Sequence, residues 1–147
     1  MIDLLFLLLN LVVLPFWVLM IFLPGWKWTQ KIIQSPLILF PPALIYAGLV
    51  LPQVGMVFAG LANPDLNALA GSLANPMGFT IVWAHLLTFD LLAGRWAYLD
   101  SRGKRFHPIL MGIVLFFTFM LGPVGFLLYL LALGIRAYFL RQLVKPR

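Results

Sequence analysis

The chain has no cysteine and no glutamate, and only two histidines, His85 and His107. Without thiols there are no disulfides, thiolate metal sites, iron–sulfur clusters or cysteine nucleophiles. Two histidines are too few for a membrane di-iron desaturase or hydroxylase, and they form no HxxxH or HExxH pair. A phosphate-binding loop, a dinucleotide glycine pattern and a GxSxG turn are also missing. Charge is scarce: 10% of residues are charged, against about 25% in a soluble domain. So few charges cannot cover a water-facing surface.

What fills the chain instead is long apolar sequence, 63% hydrophobic over 147 residues. Crossing the hydrocarbon core takes about 20 helical residues. The apolar runs predict membrane segments at residues 4–24, 37–61 and 77–99, with a further apolar region at 106–140. The expected fold is all-α and integral to the membrane, one compact bundle of four to five transmembrane helices. Segment one ends at Pro24-Gly25 and the run Trp26-Lys27-Trp28, an aromatic-basic pattern of an interface. Segment two contains Pro41, Pro42 and Pro52, which remove backbone donors and kink a helix. Residues 62–76 read as a small polar loop with two Asn-Pro stops and a short helix around Leu66 to Leu73. Gly and Ala positions in segments two and three allow close helix packing. The N-terminal run has no basic leader and no clear cleavage site, so it is expected to be a retained first helix. With no Arg- and Ser-rich transit segment before it, a bacterial source is expected.

The region 106–140 is too long for one simple crossing and has Gly122-Pro123-Val124-Gly125 in its middle. One reading is a single helix kinked at Pro123; the other is a hairpin with arms 106–121 and 124–140. Basic residues mark the inner side of a membrane. With the N-terminus outside, a single helix puts Arg136, Arg141, Lys145 and Arg147 outside, opposite Lys27, Lys31, Arg95, Arg102, Lys104 and Arg105. The hairpin brings all ten Lys and Arg inside and leaves Asp3 and Asp65 outside. The hairpin is favoured, with the basic loops and the C-terminus inside. The basic excess therefore reads as topology and lipid contact, not as nucleic-acid binding.

The third segment carries His85 and Asp90 near its middle and Arg95 toward its end. An Asp at a helix centre in a bilayer costs roughly 2.5–3.5 kcal/mol on insertion scales, so it faces protein, water or a ligand. His85 and Asp90 are five residues apart and point about 140° from one another. Asp90 shares a stripe with Trp83, Leu87, Gly94 and Ala97, and His85 with Phe89, Leu92 and Trp96. Asp90 is a proton donor or acceptor, or else a structural group bonded to Asn10, Gln53, Thr118, Tyr129 or Arg136. His85 is a general base, an axial ligand to a tetrapyrrole, or a packing histidine. Arg95, Asp100, Arg102, Lys104 and Arg105 form a charge cluster suited to lipid phosphate. His107, beside Pro108, reads as interfacial.

The run WAHLLTFDLLAGRWAYLDSRG at 83–103, then His107-Pro108, then LGPVGFLLYLL at 121–131, resembles one family. It is similar to the abscisic-acid-deficient-type membrane proteins of plants, cyanobacteria and other bacteria, over about residues 63–131. The plant members are required to form neoxanthin from violaxanthin, so the resemblance implies a carotenoid-related role. That role is xanthophyll epoxide isomerisation or an essential partnership in it, in a bacterial inner or thylakoid membrane. It implies Asp90 as acid and His85 as base, with Trp83, Arg95, Trp96, Tyr98 and Asp100 contacting a ligand or partner. A hydrophobic polyene is the implied ligand, and a homo-oligomer or larger membrane complex the setting. Two other classes stand beside it. One is a pigment-binding or assembly subunit of a photosynthetic complex, with carotenoid on its Phe-rich faces and tetrapyrrole at His85. The other is a small transporter or channel subunit.

Overall fold

The computed structural model describes residues 1–144; Lys145 and Arg147 of the basic count lie outside them. Every regular element among the described residues is helical: α1 (Ile2–Phe22), α2 (Lys27–Gln34), α3 (Phe40–Val50), α4 (Val54–Ala62), α5 (Leu66–Leu73), α6 (Pro76–Gly103), α7 (Pro108–Leu121) and α8 (Pro123–Val144). Short 3-10 turns at Pro36–Leu39 and Leu51–Gln53 flank α3.

Local chemistry explains most boundaries. Asp65 accepts from the Ala68 N–H (2.8 Å) to open α5, and Asn75 accepts from the Gly78 N–H (2.8 Å) to open α6. His107 caps α7 through Nδ1, which accepts from the Ile109 N–H at 3.3 Å. Pro76 and Pro108 each follow such a cap at the first helical position, where the missing N–H has no partner to lose. Prolines also divide the second apolar segment. Pro36 and Pro52 lie in the 3-10 turns, while Pro41 and Pro42 sit in the first turn of α3. The segment is thus a bent succession of short helices.

The core lies between α1, α6 and α7. Leu9, Val13, Trp17 and Met20 recur three or four residues apart and put one face of α1 inside. Facing them are Ala84, Leu87, Leu91, Gly94 and Ala97 of α6 and Met111, Val114, Leu115 and Thr118 of α7. Gly94 meets the Trp17 ring so closely that a Cβ there would overlap it. The glycines of the second segment behave otherwise, since Gly48, Gly55 and Gly60 border open space and bring no helix near. α4 and α5 bury no residue and lie at the periphery.

Residues 106–140 form two helices, and the chain reverses at Gly122. Its φ is +47°, and its N–H donates to Thr118 O at 2.9 Å. α8 returns alongside α7, so that the Arg136 guanidinium lies 5.2 Å from the centre of the Phe106 ring, beside the start of α7. Ile2–Phe22, Pro36–Ala62, Pro76–Gly103 and Pro123–Gln142 are long and apolar enough to cross a membrane. α7 is shorter: its 14 residues rise about 21 Å. The molecule leaves many Leu, Phe and Ile side chains exposed, a surface that suits lipid and not water.

Candidate functional site

α6 runs through the bundle with two unlike flanks. Leu87, Gly94 and Ala97, on the Asp90 stripe, are buried; Phe89, Leu92 and Trp96, on the His85 stripe, are exposed. The 100° turn per residue thus sends the two titratable groups to different surroundings.

His85 is exposed on the outside of the bundle. Its ring stacks on Phe89 at 4.7 Å and tilts against Tyr46 of α3 at 5.5 Å. Asp90 is half-buried and turned toward the α7–α8 reversal, where a Cβ on Gly122 would lie 2.5 Å from its Oδ1. None of the five side chains considered as partners for Asp90 serves it. Asn10 donates to Phe6 O and accepts from Trp83 Nε1, and Gln53 donates to Leu49 O. Thr118 donates to Val114 O, Tyr129 to Asp100, and Arg136 covers Phe106. Asp90 therefore meets a glycine turn at the N-terminal end of α8. A helix N-terminus has free N–H groups and a positive dipole end, an environment that suits a carboxyl group.

The remaining polar residues of α6 tie the helix to its neighbours. Arg95 donates through Nε to Ile33 O (2.8 Å) and through Nη2 to Gln34 O (2.6 Å). It thereby satisfies carbonyls at the C-terminal end of α2, where a cation is favoured. Tyr98 is buried and its hydroxyl donates to Pro24 O at 2.7 Å; Arg102 Nη1 donates to the same carbonyl at 2.7 Å. Asp100 accepts from the buried Tyr129 hydroxyl at 2.5 Å and pairs with Lys104. Trp83 donates to Asn10 Oδ1 at 3.3 Å and packs on Phe6 and Phe79. Trp96 packs on Phe126 and, edge-on, on Tyr129. Arg95, Tyr98 and Asp100 thus spend their polar groups inside the chain, and the exposed indole of Trp96 is the one beside an outward face.

Sequence reasoning missed three parts of this arrangement. α2 is a helix with Thr29 and Ile33 inside and Lys27, Trp28 and Lys31 outside. Its i, i+4 apolar spacing, short though it is, was the available signal. Gly122 as the neighbour of Asp90 and the Pro24 carbonyl as a shared acceptor depend on contacts across the fold and left no local signal. Among the described residues no three His or Asp side chains gather as a metal site.

No curated protein and no solved structure gives a significant match to this chain. A family model described as ABA DEFICIENT 4-like matches residues 4–129, from α1 into α8 and through the whole of α6. The chain belongs to the ABA DEFICIENT 4-like family.

Proposed function

We propose that the chain is a multi-pass membrane protein acting in carotenoid chemistry, with Asp90 as its reacting group. The observation that carries the reading is the placement of Asp90, a half-buried carboxyl beside a turn with no side chain, within a helix bundle of this family. The orientation that goes with it has the N-terminus outside and the basic loops and C-terminus inside a bacterial inner or thylakoid membrane.

Converting a 5,6-epoxide to an allenic alcohol involves no net redox change. A proton goes to the epoxide oxygen as its C–O bond opens, and another leaves the polyene carbon as the allene forms. A protonated Asp90 supplies the first, and the carboxylate so formed takes up the second. One residue closes the proton balance. His85 lies on the other flank of α6, so a single centre in one protomer does not use both.

The test is the full chain reconstituted in liposomes with violaxanthin and compared with Asp90→Asn and Asp90→Glu. Loss of a positioned acid is expected to slow isomerisation by about 10²-fold or more, with partial recovery in Asp90→Glu. Full activity in Asp90→Asn removes Asp90 as acid. An unchanged xanthophyll profile in a deletion strain removes the carotenoid role itself.

One observation favours a second reading, pigment binding without catalysis. The exposed His85 is flanked by Tyr46 and Phe89, a surface on which a flat conjugated molecule can stack. Protein purified in mild detergent is then coloured, and His85→Ala loses the absorption bands while Asp90→Asn keeps them.

A further inference from the structure

An apolar groove of about 620 Å³ runs between the end of α1 and α7. Ile21, Phe22 and Pro24 form one wall, and Pro108, Ile113 and Phe117 are part of the other. Gly112 lines it; a Cβ there would stand at an ordinary contact distance of 3.5 Å from Ile21 O, and a larger side chain would extend into the groove.

The ends of the groove differ in charge. Pro24 and Pro108 mark one end, and two arginines stand near it, one by contact and one by chain position. Arg102 Nη1 donates to Pro24 O, and Arg105 lies three residues before Pro108. Neither arginine has an acidic partner among the described residues, where Lys104–Asp100 is the single ion pair. From that end the groove extends to Phe116 and Phe117 through mostly apolar surface. Residues 108 to 117 cover about 13 Å at 1.5 Å per residue, close to half of the roughly 30 Å hydrocarbon core.

Arg105 supplies an independent observation. It ends α6 with φ +54°, while its N–H donates to Arg102 O and the Phe106 N–H donates to Ser101 O. This is a Schellman-type helix end, and its left-handed position is where glycine is usual. The arginine there is exposed, and among the described residues its side chain makes no hydrogen bond or ion pair that would account for the strained backbone. Strain kept at such a position points to a functional demand on the side chain.

We propose that this groove is a binding site for one anionic glycerophospholipid. An acyl chain lies along α7 over Gly112, and the phosphate sits between Arg102 and Arg105. A neutral polyene fits the apolar walls but gives two guanidinium groups nothing to neutralise. A phosphodiester satisfies both, in the geometry guanidinium favours. The chain length that fits is one leaflet deep.

The test uses the full chain in detergent, titrated with phosphatidylglycerol or phosphatidylcholine of matched acyl chains and read by native mass spectrometry. Phosphatidylglycerol is expected to bind at least tenfold more tightly. Arg105→Gln is expected to reduce that preference about fivefold, the contribution of one basic residue near an anionic surface. Gly112→Leu is expected to weaken both lipids by filling the groove. Arg105→Gly is the control for folding: it relieves the positive φ, so the protein melts at the same or higher temperature and still loses the preference. Equal binding of the two lipids overturns the proposal, as does an unchanged preference in both Arg105 variants. Competition by inorganic phosphate alone at millimolar concentration also overturns it, because the acyl chain would then contribute nothing.

Discussion

Asp90 rests on Gly122, and the missing side chain at 122 is what admits the carboxyl: a Cβ there would stand 2.5 Å from Asp90 Oδ1. The same glycine carries the positive φ that turns α7 into α8. One residue therefore serves both the chain reversal and the surroundings of the candidate acid. Gly122→Ala is expected to destabilise the protein by about 1–3 kcal/mol, through backbone strain and the clash together. Asp90→Ala relieves the clash but not the strain. A double-mutant cycle by thermal unfolding in detergent should give a coupling of about 0.5 kcal/mol or more, and strict additivity would show that the two residues do not touch.

A second glycine sets the distance between α1 and α6. Gly94 lies against the six-membered ring of Trp17, which is buried and leaves its indole N–H unpartnered among the described residues. Gly94→Val overpacks this contact and is expected to cost about 1–3 kcal/mol. Trp17→Phe removes an unsatisfied donor along with volume, so in the Gly94→Val background it should restore part of the loss. Unfolding midpoints of the two singles and the double measure this.

Arg95 clamps α2 to α6 through two main-chain carbonyls. Lysine keeps the charge but lacks the planar fork that reaches both at once. Arg95→Lys is expected to cost about 2 kcal/mol, on the scale of a hydrogen bond from a charged donor. The loss should appear locally, as faster hydrogen exchange of the amides of residues 27–34. Exchange that rises evenly across the chain would argue against a clamp.

Tyr129 holds α8 to α6 by donating to Asp100 from a fully buried position. Tyr129→Phe leaves the ring packing on Trp96 and Phe106 in place and removes only the hydroxyl. A cost of about 1.5–3 kcal/mol is expected, since the acceptor is charged. With Asp100→Asn already present, the same change should cost less than half as much. Thermal melts of the four proteins test it.

Much of this protein was legible residue by residue. The scarcity of charge and the apolar runs gave the helical bundle with membrane-crossing lengths. The Asn-Pro stop at 75–76 falls where α6 begins, the interfacial His107 stands where α7 begins, and the 100° rotation separated the His85 flank from the Asp90 flank. α2 escaped because eight residues with a mixed aromatic-basic face carry too little apolar periodicity to outweigh a loop reading.

The partners of the charged residues were not legible, and Asp90 shows why. Five polar side chains could have bonded to it, but Asn10, Gln53 and Thr118 bond to carbonyls in the helical turn before their own, Tyr129 bonds to Asp100, and Arg136 covers the Phe106 ring. Local composition and periodicity decide which segments become helices and which faces are apolar, because propensity and rotation act within a few residues. Which groups meet across helices depends on how closely the helices approach. That approach is set by contacts such as Gly94 with Trp17 and Gly122 with Asp90, which join positions far apart in the chain and exist only once it is packed.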